Sequence, residues 1–276
     1  MTIRQTIQTI EEALSPLYDS REATAIAREV VCRVCGYTFS QLVINYDSEC
    51  IIENLQTIID QLAASRPVQY VTGVAEFCDL EFKVCEGVLI PRPETAELVA
   101  QIVADTHPGA KILDVGTGSG AIAVALAKSI EGAKVTAVDI SDVALEIAAE
   151  NGVRNGVNIA FYKADALGDM SSLGEFDIIV SNPPYIPQSD IVRMERNVVD
   201  YEPHTALFVA DDDALCFYRS IAQNGVKMLR MGGALYFEIY EQFGKQIRQM
   251  LEQMGYKDIV VAKDIFGKER MVWSRR

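Results

Sequence analysis

Four consecutive residues, Asn182-Pro183-Pro184-Tyr185, carry the most distinctive chemistry in this chain. Asn182 offers a side-chain carbonyl acceptor and an amide donor, while the prolines lack N–H groups and leave only backbone acceptors. The two prolines also fix φ and push the residues before them away from helix. Tyr185 adds a flat ring. Together these groups form a rigid clamp for a planar NH2 group, with two acceptors and a stacking face. Such a nitrogen is a poor nucleophile because its lone pair is delocalised. Hydrogen bonds from its two N–H groups to fixed acceptors favour the pyramidal, nucleophilic form reached only in the transition state.

A second constellation is Asp114-Val115-Gly116-Thr117-Gly118-Ser119-Gly120-Ala121. It fits the loose G-x-G-x-x-G/A pattern, and Asp139 follows at about the 20-residue interval at which an acid meets a ribose hydroxyl. The glycines let backbone approach a ligand closely, and the helix that follows offers free N–H groups. Taken alone this loop fits NAD, and an oxidoreductase or a nucleotide-binding module would leave residues 182–185 as a structural turn. The only histidines, His107 and His204, have no partner pattern and read as a helix-end and a lid residue. Cys32-x-x-Cys35 has no second pair and no nearby His, so the six cysteines read as free thiols and no metal site is expected.

These groups need a scaffold that brings strand ends together. The apolar run Phe176 to Val180 reads as a buried parallel strand delivering Asn182 to a crevice. Strands at residues 111–115, 134–138 and 159–163, with intervening helices, give a βαβα alternation and hence a parallel sheet with right-handed crossovers. The glycine loop, Asp139, and the Asp165-Ala166 turn then all end strands of one sheet. Residues 188–207 are polar and irregular and read as a lid containing Tyr201-Glu202-Pro203-His204, with Glu202 ordering it or exposed. A helix from about Asp212 to Leu229 stopping at Gly232-Gly233, then strand, helix and two strands, complete the sheet.

The first third is helical. Ile3, Ile7, Ile10 and Leu14 recur at helical spacing; Asp19 or Ser20 caps a second helix that Gly36 ends, and Ser48 caps a third carrying Ile51 to Leu62. From Tyr70 to Ile90 the texture becomes strand-like, with Gly73 and Gly87 as turn points. The expected organisation is a helical domain at 1–66, a β-hairpin linker at 67–91 and the sheet domain at 92–276.

With 276 residues and 49% hydrophobic content the chain can build a sizeable core. The net charge of −14 argues against a broad grip on nucleic-acid phosphates. No apolar run reaches membrane-spanning length and Met1 to Gln8 lack a signal-like region, so a cytoplasmic protein without membrane or direct nucleic-acid contact is expected, as a monomer by default.

Asp114 before the glycine loop, the strand-ending acid and Asn182 to Tyr185 resemble the class I methyltransferases that modify amide or amino nitrogens. Arg66-Pro67-Val68-Gln69-Tyr70, Val88 to Thr95, Asp114 to Ala121, Ser181 to Ile186 and Tyr201-Glu202-Pro203 occur in order, and together resemble the HemK/PrmC family of protein-glutamine methyltransferases. That resemblance implies an α/β fold: a Rossmann-like, seven-stranded, mostly parallel sheet with a small N-terminal helical bundle for release-factor recognition. It implies methylation by S-adenosylmethionine of the glutamine side-chain nitrogen in the Gly-Gly-Gln loop of class I peptide chain release factors. Asp114, Gly116, Thr117, Gly118, Ser119, Gly120, Asp139, Asp165, Ala166 and Asn182 would bind the cofactor, the glycine loop contacting its methionine part, Asp139 accepting from its ribose hydroxyls and the Asp165-Ala166 turn bordering its adenine. Asn182, Pro183, Pro184 and Tyr185 would bind the acceptor amide, with Asn182, Pro183 and Tyr185 catalytic. Two positions depart from the family pattern: Ala166, where some members have an aromatic residue, and Tyr240, where glycine is common; neither is expected to touch the clamp. A ribosomal-protein glutamine methyltransferase shares this chemistry, and a DNA adenine methyltransferase shares the clamp, though the net charge opposes it.

Overall fold

The computed structural model describes all 276 residues. A Thr2/Gln5 capping box starts α1 (Ile3–Leu14), which buries Ile3, Ile7, Ile10 and Leu14 as one stripe. Asp19 caps α2 (Ser20–Cys35) by accepting from two backbone N–H groups, and Gly36 ends it at φ 66°. Then come α3 (Phe39–Ile44), α4 (Leu55–Ala63) and α5 (Val68–Thr72). The helix expected from Ser48 starts only at Leu55. The backbone between is committed elsewhere: the Ser48 carbonyl accepts from Ile3 N–H, and Cys50 N–H donates to the Met1 carbonyl.

β1 (Val74–Phe77) and β2 (Leu80–Lys83) form a hairpin. The expected turn points Gly73 and Gly87 lie in turns before and after the hairpin, at φ 75° and 92°, while its own turn is Cys78-Asp79, at φ 50° and 58°. Both central residues at positive φ match the twist of the flanking strands. Val88 to Ile90 form no strand; the Ile90 N–H donates to Glu202 Oε2 instead.

The expected alternation follows as α6 (Pro93–Asp105), β3 (Lys111–Val115), α7 (Ala121–Ser129), β4 (Lys134–Asp139), α8 (Asp142–Arg154), β5 (Ile159–Lys163) and β6 (Phe176–Ser181). After β7 (Ile186–Pro187), the segment expected as a lid comprises a 3-10 turn at Gln188–Arg193, α9 (Arg196–Val199) and α10 (His204–Leu207). Next are β8 (Phe208–Val209), α11 (Cys216–Met228), β9 (Leu229–Glu238), α12 (Gly244–Gln253), β10 (Lys257–Lys263) and β11 (Glu269–Arg275). Gly232-Gly233 do not stop α11. They lie inside β9, where a Cβ on Gly233 would come within 3.0 Å of the Asp177 carbonyl oxygen on β6.

The seven-stranded sheet has the order β10-β11-β9-β6-β3-β4-β5. Its pairs are parallel from β9 to β5, and β11 is antiparallel to both neighbours. Successive side chains alternate between faces. Ile112, Ile178 and Tyr236 join α6 and α7 in one apolar cluster; Leu113, Ile179 and Phe237 join α11 and α12 in another.

The chain divides into two compact units. One comprises Met1–Val74 with Glu195–Tyr201, the other Ala75–Met194 with Glu202–Arg276. The first has its own core of Ile3, Ile10, Leu14, Val30, Leu42 and Leu62, and the Tyr201 hydroxyl donates to the Ala64 carbonyl at 2.8 Å. The second contains the sheet and every site residue named above. No helix is long and apolar enough to cross a membrane.

Candidate active site

The strand order reverses at β3, with β4 and β5 on one side and β6 and β9 on the other. Open α/β sheets bind ligands beyond the carboxyl ends of strands at such a point. Val115 on β3 pairs with Ser181 on β6. Gly116 and Asn182 therefore leave neighbouring strands at the same level, roughly 4.8 Å apart across the sheet. A cavity of about 420 Å³ opens there, inside the roughly 300–1,000 Å³ range of small-molecule sites.

Gly116, Thr117, Gly118 and Ser119 line one wall, Asp139 the next, and Asn182, Pro183 and Pro184 the far side. The loop is held from several directions. Gly116 and Thr117 N–H groups donate to the Val138 carbonyl, and the Thr117 hydroxyl donates to Asp114 Oδ2 at 2.7 Å. Asn151 Nδ2 donates to the Ser119 carbonyl and to the Lys83 carbonyl, both at 2.9 Å, and its Oδ1 accepts from Lys83 N–H. Gly120 takes φ +80°, and a Cβ there would lie 3.0 Å from the Ala148 Cβ. Nothing local in the sequence marked Asn151, whose partners are remote in the chain.

Asp114, Gly120 and Tyr185 do not line the cavity. Asp114 is buried, 1% exposed, and supports the loop from below. Its Oδ1 has no hydrogen-bond partner of ordinary geometry. Burial pushes its carboxyl up to about 7, against the lowering effect of the Thr117 hydroxyl and the Ala123 amide. Asp139 faces the cavity, its Oδ2 accepting from Gly118 N–H and its Oδ1 from Ser141 N–H, each at 2.9 Å. A carboxylate has about four acceptor positions, so two remain for a diol. Beyond it Ile140, Ala164, Ala166, Leu167, Phe217 and Ile221 form an apolar slot. Phe217 supplies the aromatic wall that Ala166 does not.

The clamp has a buried support that the sequence did not announce. Glu238, at the end of β9, is 2% exposed. Its Oε1 accepts from the Tyr185 hydroxyl at 3.0 Å and its Oε2 from the Thr95 hydroxyl at 2.5 Å. Asn182 Nδ2 donates to Thr95 Oγ1 at 3.4 Å. Tyr240 does touch the clamp, contrary to expectation: its ring stacks on Tyr185, centroids 6.1 Å apart and planes at 23°, and its hydroxyl donates to Asp190 Oδ2 at 2.7 Å. The register that levels β9 with β6 turns a departure from the family pattern into a ring contact. Glu202 is buried rather than exposed. It pairs with Arg92 at 2.6 Å and accepts from Ile90 N–H, so it fastens the start of the Glu202–Leu207 stretch to the approach to α6. His107 meets Arg230 at 2.9 Å, and His204 stands edge-on to Phe208.

The donor set fits S-adenosylmethionine. A carboxylate with spare acceptor positions suits a ribose diol, an apolar slot with an aromatic wall suits adenine, and a glycine loop whose backbone lines the cavity suits a charged amino-acid end.

Residues 94–200 match the family model described as the methyltransferase small domain, and residues 5–73 that of the PrmC N-terminal domain. A methyltransferase from Pyrococcus furiosus, 20% identical, superposes with a TM-score of 0.52 over 81% of this chain and 98% of its own. Fold and site together define a class I, S-adenosylmethionine-dependent methyltransferase. The chain is 43% identical to the release factor glutamine methyltransferase of Bacteroides thetaiotaomicron over 97% of its length and 98% of the relative's, and 40% identical to that of Flavobacterium psychrophilum, over 95% and 94%. It belongs to the release factor glutamine methyltransferase family.

Proposed function

We propose that this chain transfers a methyl group from S-adenosylmethionine to the side-chain amide nitrogen of a glutamine, that of the Gly-Gly-Gln loop in class I peptide chain release factors. The observation that carries the chemistry is the register of β3 with β6, which sets the glycine loop and the Asn182-Pro183 acceptors side by side at one crevice. The acceptor protein is the one named by its full-length relatives.

Bound in the crevice, the cofactor supplies an electrophilic methyl carbon on a sulfonium, open to in-line attack. Asn182 Oδ1 and the Pro183 carbonyl accept the two N–H bonds of the glutamine amide and favour its pyramidal form. The same groups hold the nitrogen in line, which supplies much of the remaining rate. Tyr185, off the cavity wall, backs the clamp and keeps its hydroxyl on Glu238. The attacking amide is neutral, so no dedicated base is needed before transfer; as the N–C bond forms the methyl–sulfur bond breaks, S-adenosylhomocysteine leaves as a neutral thioether, and the N-methylated amide then loses its extra proton to solvent. Asp139 would hold the ribose, residues 116–119 the methionine part, and Ala166 with Phe217 the adenine. Recognition of the release factor is assigned to the N-terminal helical unit, which carries the PrmC N-terminal match.

The test is methyl transfer from labelled S-adenosylmethionine to a class I release factor, to ribosomal proteins and to duplex DNA, side by side. Label on the release factor, lost when its Gly-Gly-Gln glutamine is replaced, supports substrate and site together. Label on a ribosomal protein alone keeps the chemistry and changes the acceptor; label on DNA overturns the reading.

A further inference from the structure

Asn182 serves the clamp only if its carbonyl, and not its NH2, faces the amide to be methylated. The two ends of a carboxamide have nearly the same shape, so packing alone does not choose between them. The choice lies with the group behind. Thr95 has one hydroxyl proton, and it goes to Glu238 Oε2 at 2.5 Å. Only lone pairs are then left toward Asn182. They attract the NH2 end, which donates to Thr95 Oγ1 at 3.4 Å, and repel the carbonyl end. The other Glu238 oxygen takes the Tyr185 hydroxyl at 3.0 Å, so one carboxylate holds both ends of the tetrapeptide. Thr95 is 4% exposed and Glu238 2%, so water cannot readily replace either bond.

Both residues come to the clamp by fold alone. Ser181 pairs with Phe237, which sets Glu238 beside Asn182 one position on. Met271 of β11 pairs with Glu238 on its other side, and the neighbouring Arg270 supplies positive charge to the carboxylate. Thr95 lies in the first turn of α6.

We propose that Glu238 is the positioning residue of the amide clamp: through the Thr95 hydroxyl it turns the Asn182 carbonyl toward the acceptor, and through the Tyr185 hydroxyl it fixes the ring. This rests on Asn182 being the acceptor for the glutamine amide.

The experiment compares full-length wild type with Thr95→Val, Thr95→Ser, Glu238→Gln and the Thr95→Val/Glu238→Gln double variant. It reads kcat and KM on the release factor, cofactor affinity, thermal melting, and the side-chain 15N–1H signals of Asn182, assigned by their loss in Asn182→Ala. Thr95→Val keeps the shape and removes the acceptor; it is expected to lower kcat roughly 10- to 100-fold, the scale of a slightly misplaced reacting group. Cofactor affinity stays within about twofold, Thr95→Ser restores kcat, and the double variant is no worse than Glu238→Gln, because Glu238→Gln already breaks the Thr95 contact along with the Tyr185 one. The Asn182 signals shift in Thr95→Val and Glu238→Gln and keep their position in Thr95→Ser. Folded Thr95→Val with kcat near wild type, Thr95→Ser as slow as Thr95→Val, or losses that multiply in the double variant would each overturn the proposal. If wild type labels no glutamine the functional reading fails on its own, and the Asn182 signals still decide: unmoved by Thr95→Val and Glu238→Gln, they refute the positioning role.

Discussion

Asn182 is the residue whose loss should separate chemistry from binding. Removing one preorganised hydrogen-bonding group at a reacting centre lowers turnover by about 10²–10³. Asn182→Ala is therefore expected to cut kcat on that scale while cofactor affinity, measured by calorimetry, changes little; equal loss of both would sink the clamp role. Glu238 adds a pH dependence. Burial raises its pKa above the usual Glu value, against the Thr95 and Tyr185 hydroxyls and the Arg270 charge, with Glu94 raising it further. Only the carboxylate accepts from both hydroxyls; the acid can donate to Thr95, free the Thr95 proton for Asn182, and reverse the carboxamide. Activity is thus full at high pH and falls as pH drops through the Glu238 pKa. A kcat profile should show this acid limb in wild type and lack it in Glu238→Gln.

Among elements, the junction of β3 with α7 is built on Gly120, which combines φ +80° with a closest approach of 3.0 Å from a would-be Cβ to Ala148 on α8. Backbone strain of this kind costs about 1–3 kcal/mol, and Gly120→Ala should lower Tm by several degrees and weaken cofactor binding together. A calorimetric scan with and without cofactor checks both. The start of the Glu202–Leu207 stretch depends on Glu202, whose side chain is 1% exposed while that of Arg92 is 32% exposed. Glu202→Ala strips the Ile90 N–H and the guanidinium of their partner. The partial exposure of Arg92 reduces the loss to about 1–3 kcal/mol. Urea unfolding should show that loss in the midpoint with the slope unchanged.

The stability of the whole molecule carries the signature of Asp114. Folded, its carboxyl titrates at about 7 because of burial; its ordinary value is 3.8. Between those values the folded form keeps a proton that the unfolded form has released. Stability from this group is therefore full below about pH 4 and is lost as pH rises toward 7, by a few kcal/mol in order of magnitude. Cofactor-free Asp114→Asn should show a flatter Tm against pH across that window, and bound cofactor should recover Tm most at the alkaline end. A parallel pair of Tm–pH curves would refute the assignment.

What was legible in the sequence was local. Asp114 to Ala121 and Asn182 to Tyr185 are runs of consecutive residues at strand ends, and the alternation of apolar strands with helices fixes which strand ends share an edge. Family membership followed from those two runs together with Arg66 to Tyr70, Val88 to Thr95 and Tyr201 to Pro203, in order along the chain. The backing of the clamp was not local: Thr95 and Glu238 meet across 143 positions, and Asn182 and Thr95 across 87. Glu238 and Thr95 have ordinary side chains that acquire a role only when β9 is levelled with β6 and α6 is packed beneath. The late start of α4 was hidden for a related reason, since backbone hydrogen bonds from residues 48–50 to the first residues of the chain outweighed the local cap signal. The sequence by itself determined the chemistry available at each strand end, because residue type dictates donors, acceptors and backbone freedom. Only the tertiary structure decided which way the Asn182 carboxamide faces, because one proton, held by a carboxylate remote in the chain, makes that choice.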